Sequence, residues 1–329
     1  MAVFLTGGTG FIGGHLLRRL LRDGRDVRAL VRSEGAAAEL LRFGAEPLVG
    51  DLRDEGVMRS GMAGSEIVFH VAGLNEPCPR DLVQMYRVNV DGVRSVVRSA
   101  AAAGVRRVVM TSSVAAVGEP AGAVAREDTP HSGEFLSHYA RSKFLGEVAG
   151  FEEGERHGIE VVAVLPSSVQ GPGRDTGSAK ILRYALSSSR PLLIDATLSI
   201  VDIDDCTAGH LLAAERGEAG ERYLLSGSSL TTLDVVEVIA EVTDREIHPI
   251  RVPRALLRAA MPVAALAGPW VGRGLVCGDM VRTLLHGHRV DGSRAERELG
   301  LVYTPFPETV VRTYHWFVEE GLVNQSLRS

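Results

Sequence analysis

The first half of the chain alternates short apolar runs with longer segments whose apolar residues recur at helical spacing. Apolar runs bounded by polar residues predict strands, and the longer segments predict helices. The predicted strands cover residues 3–5, 27–31, 48–49, 67–71, 108–111 and 161–165, and the clearest predicted helices cover about 11–22, 82–103 and 138–156. Strands and helices that alternate in this way favour a doubly wound parallel sheet with helices on both faces.

The pattern changes after Pro166. Gly171-Pro172-Gly173 interrupts it, and the later segments predict mostly helix with few clear strands. We therefore predict an α/β fold with a main domain of residues 1–165, to which residues 197–216 return. A smaller, mostly helical C-terminal substrate lobe is predicted for residues 166–196 and 217–329.

Composition narrows the class of protein. In 329 residues, 45% are hydrophobic and the net charge is −5, which predicts a globular core and gives no basic surface for nucleic acid or an anionic membrane. The three cysteines are widely spaced and odd in number. This spacing argues against a disulfide framework or a zinc site and favours a reducing compartment.

The N-terminus runs directly into a predicted strand without a basic segment ahead of an apolar one, so no signal peptide is expected. The most apolar segment, residues 259–271, is interrupted by Pro262 and Pro269 and is too short to span a bilayer, which needs about 20 residues. We therefore expect a cytoplasmic protein without a membrane span.

A glycine-rich turn, Thr6-Gly7-Gly8-Thr9-Gly10-Phe11-Ile12-Gly13, joins the first strand to the first helix. Such a turn lets the backbone approach a pyrophosphate, and the helix N-terminus that follows favours the anion. This context predicts a Rossmann-type dinucleotide site. Its candidate binding residues are Gly7, Thr9, Gly10, Phe11, Ile12 and Gly13.

The residues that follow the second and third predicted strands help to predict which dinucleotide binds. The second strand ends at Val31 and is followed by Arg32, not by the carboxylate that usually holds an adenosine ribose diol. An arginine at this place can pair with a 2′-phosphate, which favours NADP(H) over NAD(H). Asp51 and Leu52 follow the third strand, where they are candidates for contact with adenine. Arg32 as a solvated residue and Asp51 as a helix cap are the alternatives.

Tyr139 and Lys143 are four residues apart in a predicted helix, so their side chains project from one face. A nearby ammonium would lower the pKa of the phenol and suit it to acid–base catalysis on a carbonyl or alcohol. Thr111 ends the preceding predicted strand and Ser113 follows it, where a serine hydroxyl can donate to the substrate oxygen. A solvated helical pair is the alternative interpretation of Tyr139 and Lys143.

These motifs, in this order, resemble the extended short-chain dehydrogenase/reductase family, the NAD-dependent epimerase/dehydratase group. The resemblance covers about the first 210 residues, and it also includes Asn89-Val90-Asp91-Gly92 and the segment 166–173. It implies that Ser113, Tyr139 and Lys143 are catalytic. It also implies that Asn89 stabilises the sheet near the site. The further cofactor contacts that it implies are Val71, Ala72, Gly73, Thr111, Tyr139, Lys143, Pro166, Ser167 and Ser168.

Three reactions of the family compete. Dehydratases carry an Asp-Glu pair where this chain has Val114-Ala115, and nucleotide-sugar epimerases carry an arginine where it has Thr197-Leu198-Ser199. We therefore favour an NAD(P)-dependent oxidoreductase that transfers a hydride to or from a carbonyl or alcohol on an apolar or cyclic small molecule. The chain is similar here to dihydroflavonol reductase-like, 3β-hydroxysteroid dehydrogenase-like and hopanoid-associated sugar epimerase-like members. A sugar epimerase, with Arg174 among its possible phosphate partners, and a non-catalytic dinucleotide-sensing regulator are the alternatives.

Three further expectations concern substrate contacts, metal binding and assembly. Asn75 and Val114 are candidate substrate contacts. His286 and His288 have no third ligand at a helical or hairpin spacing, so no metal is expected. The resemblance also implies a homodimer through a four-helix bundle, formed by the helices predicted over residues 82–103 and 138–156.

Overall fold

A computed structural model of the protein describes residues 1–76, 78–256 and 277–323. Within these ranges, seven parallel strands form the main sheet. In order across the sheet, they are β3 (Glu46–Val49), β2 (Asp26–Val31), β1 (Ala2–Thr6), β4 (Ile67–His70), β5 (Arg107–Thr111), β7 (Glu160–Pro166) and β11 (Arg222–Leu225). The parallel, doubly wound fold predicted from the sequence is confirmed.

Helices cover both faces of this sheet. They are α1 (Phe11–Arg22), α2 (Glu34–Phe43), α3 (Glu55–Met62), α4 (Leu82–Tyr86), α5 (Gly92–Ala102), α6 (His138–His157) and α8 (Ile203–Arg216). Successive side chains of a strand point to opposite faces, so Val3 and Leu5 pack with α1, α2 and α8 while Phe4 packs with α3 and α5. These three residues of β1 are fully buried. Burial on both faces accounts for the continuous apolar run that predicted the strand.

The predicted helix over residues 82–103 is divided. A π-helical turn, Arg87–Asp91, separates α4 from α5. Asn89, in this turn, donates to the Leu74 carbonyl at 3.0 Å and to Ser142 Oγ at 2.9 Å, and its Oδ1 accepts from Leu74 N at 2.8 Å. The wider turn thus directs one polar side chain between a loop and α6, as π-helical turns at functional sites often do.

The C-terminal lobe has its own apolar core, formed by α7 (Ala179–Ser187), α9 (Thr232–Thr243) and α11 (Phe306–Glu319). Helices make up most of the regular structure of the described lobe, as predicted, but the lobe also contains short strands that the sequence did not reveal. The described part of the chain contains three small sheets besides the main one. The first has three strands, β8 (Ser168–Gln170), β10 (Thr197–Asp202) and β12 (Ser228–Thr231). The other two have two strands each: β9 (Leu192–Ile194) with β13 (Ile250–Val252), and β6 (Val124–Ala125) with β14 (Arg289–Val290). Strands of two to six residues carry too little periodicity to be recognised.

Two of the predicted domain boundaries need correction. β11 pairs with β7 in the main sheet, so residues 222–225 do not belong to the lobe in which the sequence placed them. In the predicted return segment, α8 packs against the main sheet, whereas β10 pairs with β8 and β12 in a small sheet.

The cysteine prediction is also wrong. Cys78, in the loop after β4, forms a disulfide with Cys277, the residue before α10 (Gly278–His286). The two cysteines are 199 residues apart, and this separation hid the pairing. Cys206 alone keeps a free thiol among the described cysteines, and it is buried. Because disulfides persist in oxidising surroundings, this pairing argues against the reducing compartment expected from the cysteine count.

Within the described ranges, no helix combines the length and apolar character needed to cross a membrane. The apolar segment 259–271 lies outside the described residues.

Candidate active site

The predicted site residues gather at one edge of the main sheet. Because its strands are parallel, their carboxyl ends meet at this edge, which is where doubly wound folds bind ligands. The glycine turn follows β1, Arg32 follows β2, and Asp51 and Leu52 follow β3. Residues 71–73 follow β4, Ser113 follows β5, and Ser167 and Ser168 follow β7. Segments far apart in the chain therefore share one crevice.

The glycine turn is too tight for side chains at two positions. Gly7 has a φ of +77°, and a Cβ there would lie 2.6 Å from Ala72 N. A Cβ at Gly13 would lie 2.0 Å from the Gly7 carbonyl oxygen. Gly10, ahead of α1, has no side chain with which to cap the helix. The first N–H groups of α1 therefore remain available to an anion, as a pyrophosphate site requires.

A buried hydrogen-bond chain holds the β4 loop beside this turn. Thr6 Oγ1 accepts from Ala72 N at 3.2 Å and lies 2.8 Å from His70 Nδ1. Burial, with a smaller effect from the Lys143 charge, lowers the pKa of His70 to about 3, so this imidazole is neutral and structural. These hydrogen bonds fix the backbone of Ala72, next to Gly73.

The residues predicted to select the dinucleotide lie close together. Asp51 Oδ1 accepts from Arg53 N at 2.9 Å and Arg53 Nε at 2.8 Å. The Arg53 hydrogen bonds, together with the weaker effect of the Arg32 charge, lower the pKa of Asp51. Asp54, not Asp51, caps α3 by accepting from Val57 N. Two arginines around one aspartate leave a net positive charge beside the end of β2.

The catalytic candidates come together at the centre of the edge. Tyr139 and Lys143 are both on α6, whose N-cap is Ser137. Ser113 is the N-cap of the short 3-10 helix Val114–Ala116. A hydrogen bond with Ser113 favours the phenolate form of Tyr139. Lys143 Nζ donates to the Thr111 carbonyl at 2.7 Å. A Cβ at Gly73 would lie 3.4 Å from Lys143 Nζ.

The expected effect of Lys143 on Tyr139 is not found. Burial raises the pKa of Tyr139, and the groups that oppose this increase are Ser113 and the positive charge of Arg174. The Lys143 ammonium instead donates its hydrogen bond to the Thr111 carbonyl at the end of β5. Arg174, which the sequence suggested only as a phosphate partner, lies over the Phe11 ring at 5.5 Å and supplies positive charge near the phenol.

A histidine that sequence reasoning missed supports Thr111. His210, on α8, is fully buried, and burial lowers its pKa to about 4. Its Nδ1 lies 2.7 Å from the Cys206 carbonyl and therefore carries the proton, so its Nε2 accepts from Thr111 Oγ1 at 2.9 Å. Thr111 is thus held by its side chain while its carbonyl holds Lys143. No sequence spacing connects Thr111 and His210.

Glu147 is the second missed residue, and a sequence signal for it existed. It is four residues after Lys143 on α6 and only 6% exposed. Burial raises the pKa of Glu147 and lowers that of Lys143 to about 8, and the opposite charges partly offset both changes. Arg222 Nε, on β11, lies 3.1 Å from Glu147 Oε1. The i, i+4 series Tyr139, Lys143, Glu147 could have revealed this carboxylate.

The substrate candidates receive less support. Val114 is 7% exposed and packs within the apolar core beside α5, so little of its side chain is open to a substrate. Asn75 is exposed in the β4 loop, and substrate contact there stays a prediction.

The edge as a whole fits a dinucleotide. The glycine turn is a cradle that a Cβ would fill, and the hydroxyl of the buried Ser167 has no hydrogen-bond partner in the described part of the chain. Such a hydroxyl suits a polar ligand group, as expected for the segment Pro166 to Ser168.

Comparisons with known proteins define the class. The sequence profile of the NAD dependent epimerase/dehydratase family matches residues 3–226, and the chain belongs to this family.

Two relatives and one solved structure show how far the likeness extends. The sterol demethylase protein B of Methylococcus capsulatus is 33% identical over 98% of this chain and 100% of its own length. The cinnamoyl-CoA reductase 1 of Petunia hybrida is 29% identical over 97% of this chain and 92% of its own length. The crystal structure of gox2253 superposes with a TM-score of 0.85 at 29% identity, covering 98% of this chain and 99% of that one. The protein is therefore an enzyme of a family of NAD(P)-dependent reductases and epimerases.

Proposed function

We propose that this protein transfers a hydride reversibly between NADP(H) and a carbonyl or alcohol group on an apolar or cyclic small molecule. The observation that carries the proposal is the convergence of Ser113, Tyr139 and Lys143 at the carboxyl edge of the sheet, beside a glycine turn that fits a pyrophosphate.

The residues divide the chemistry among them. The nicotinamide, when bound, supplies or accepts the hydride. Ser113 donates a hydrogen bond to the substrate oxygen, and Tyr139 donates the proton that this oxygen needs during reduction. Because burial raises the pKa of Tyr139, the phenol stays protonated at neutral pH, which suits a proton donor. Lys143 supplies donors for the nicotinamide ribose hydroxyls, with Thr111 fixing its position.

The residues after Ser113 and the names of two relatives support the substrate class. Val114 and Ala115 offer no acid–base pair for dehydration. One relative is named for a sterol and the other for a reductase, which supports carbonyl reduction on a largely apolar molecule.

Tyr139→Phe tests the reaction. We expect NADPH-dependent turnover of cyclic ketones to fall at least about 100-fold, since the proton donor is lost, while NADPH binding measured by fluorescence changes less than about twofold. Tyr184→Phe, at an exposed tyrosine of α7, is the matched control and should keep full activity. Unchanged turnover in Tyr139→Phe would refute the assignment.

The preference for NADP(H) rests on the positive charge around Arg32. In Arg32→Ala we expect NADPH affinity to fall about 10- to 100-fold, because a guanidinium pairs with the 2′-phosphate, and NADH affinity to stay constant. Arg42→Ala, at an exposed arginine of α2, controls for general charge loss. Equal losses for both dinucleotides would contradict the preference.

Sugar epimerisation is the second candidate, because Arg174 is a half-buried cation beside Tyr139 that suits a phosphate-bearing substrate. Formation of an epimer without net NADPH consumption would support it over reduction.

Assembly as a homodimer is also part of the proposal. Val93, Val96 and Val97 of α5 pack on the sheet, whereas Val148 of α6 is exposed and offers an apolar position to a partner helix. A sedimentation mass of twice 35.2 kDa is the expected result.

A further inference from the structure

The end of α10 brings two imidazoles close together, with their ring planes tilted by 52°. His286 is the last residue of α10, and His288 directly precedes β14. Between them Gly287 has a φ of +67°, a left-handed value that favours glycine and turns the chain sharply. The two ring centroids are 5.3 Å apart.

A buried carboxylate meets this pair. Glu119 lies in the loop that follows the single 3-10 turn after Ser113, and it is 4% exposed. Its Oε1 is 2.6 Å from His288 Nδ1 and 3.4 Å from His286 Nε2. One ligand atom from each of the three residues lies within 4.8 Å of the others. Glu119 precedes His288 by 169 residues, so no local spacing in the sequence reveals it as a third ligand.

Hydrogen bonds alone satisfy this cluster poorly. Both imidazoles approach the same carboxylate oxygen, while Glu119 Oε2 is buried and has no partner in the described residues. A buried anion without a full set of partners is costly. Among the described residues, no lysine or arginine forms an ion pair with Glu119, and the two imidazoles beside it carry positive charge only when protonated.

We propose that Glu119, His286 and His288 bind a divalent transition metal ion of the zinc type. Two imidazoles and one carboxylate form a known zinc ligand set, which leaves a fourth tetrahedral position for water. With metal–ligand distances of about 2.0–2.2 Å, neighbouring ligand atoms are separated by about 3.3 Å. The Glu119 to His286 separation of 3.4 Å is close to this value, and the Glu119 to His288 separation of 2.6 Å has to widen by less than about 1 Å. The bound ion supplies the positive charge that the buried carboxylate lacks and occupies the unpartnered oxygen.

The role of the ion is structural. The backbone at His288 is fixed because its carbonyl accepts from Ser199 Oγ at 2.8 Å, and β14 pairs with β6. At the other end of α10, Asp279 Oδ2 accepts from His138 N, next to Tyr139, at 3.1 Å. The metal therefore joins the loop that begins at Ser113 to the same helix that contacts the start of α6.

The proposal is tested on the full-length protein after treatment with a chelator. We expect Zn²⁺ to bind with a stoichiometry of one, measured by competition with a chromogenic chelator, and to raise the melting temperature. Glu119→Gln and His286→Asn should each weaken Zn²⁺ binding at least about 100-fold, since each loses a direct ligand. His248→Asn, at an exposed histidine that lies 3.9 Å from a glutamate, is the matched control and should bind as the wild type does.

A second measurement covers the case in which a variant fails to fold. Co²⁺ added to the wild-type protein should give the visible absorption of a tetrahedral nitrogen–oxygen site, without a thiolate charge-transfer band. Absence of both Zn²⁺ and Co²⁺ binding at about 100 µM metal would overturn the proposal. Undiminished Zn²⁺ affinity in a folded Glu119→Gln variant, or a thiolate band in the Co²⁺ spectrum, would overturn it equally.

Discussion

At the scale of single residues, the chemistry of the site depends on how Lys143 keeps its charge inside the protein. Burial lowers its pKa to about 8, and the nearby Glu147 carboxylate opposes this decrease. Glu147 is itself held at 3.1 Å from Arg222. In the proposed mechanism Glu147 is therefore a positioning residue, because it acts only through the ammonium of Lys143.

We expect Glu147→Gln to move the pH dependence of the enzyme. In the wild type, kcat/KM for carbonyl reduction should decline as the pH rises through about 8, where Lys143 loses its proton in the free enzyme. Removal of the negative charge lowers the pKa of Lys143 further, so the decline should begin at lower pH. At pH 8 the rate should be about two- to fivefold below that of the wild type. Rate profiles between about pH 6 and pH 10 at constant ionic strength measure this change.

Glu152→Gln removes a similar charge from the exposed face of the same helix and should leave the midpoint in place. If Glu147→Gln lowered kcat/KM equally at all pH values, the carboxylate would have only a structural role.

Spacing explains which of these residues the sequence revealed. Tyr139 and Lys143 are recognisable because four residues place two side chains on one helix face. The same rule predicts Glu147. His210 is not predictable in this way, since its hydrogen bond to Thr111 joins residues 99 apart and depends on how α8 lies on the sheet.

At the scale of elements, α6 is positioned by close packing against the π-helical turn. A Cβ at Gly146 would lie 2.0 Å from the Asn89 carbonyl oxygen, which is backbone and cannot move as a side chain would. We expect Gly146→Ala to lower the free energy of unfolding by about 1–3 kcal/mol. It should also reduce kcat/KM, because Asn89 holds the Leu74 loop and Ser142. Urea unfolding and steady-state kinetics measure the two effects.

Gly35→Ala is the matched control in another helix. No described atom lies within 4 Å of a Cβ at Gly35 in α2, so this change should stabilise the protein by about 0.5–1 kcal/mol through helix propensity. Equal stabilities of the two alanine variants would show that α6 can move away from the π-helical turn without cost.

The helices and strands were predictable where burial leaves a clear pattern of apolar residues in the sequence. β1, β4, β5 and β7 of the main sheet are buried on both faces and read as continuous apolar runs. The π-helical turn was not visible, since it interrupts an apolar pattern that suits one long helix. The strands of the C-terminal lobe were missed because pairing with distant segments, such as β14 with β6, creates them.

At the scale of the whole molecule, the two lobes are joined beside the active site. The disulfide between Cys78 and Cys277 links the loop after β4 to the start of α10. Asp279, two residues later, contacts the start of α6. The active-site edge was predictable from local motifs that follow strand ends. The attachment of the C-terminal lobe was not, because it depends on residues far apart in the chain.

Loss of the disulfide should therefore affect stability as well as the site. A cross-link between residues 199 apart restricts the unfolded chain strongly, so Cys78→Ser should lower the free energy of unfolding by about 2–5 kcal/mol. Reductant should destabilise the wild type by a similar amount and leave the Cys78→Ser/Cys277→Ser double variant unaffected. Thiol titration of the unfolded, unreduced wild type should find one free cysteine, Cys206. Three free thiols would contradict the pairing. In that case α10 would be held beside the active site only by Asp279 at its start and by Glu119, His286 and His288 at its end.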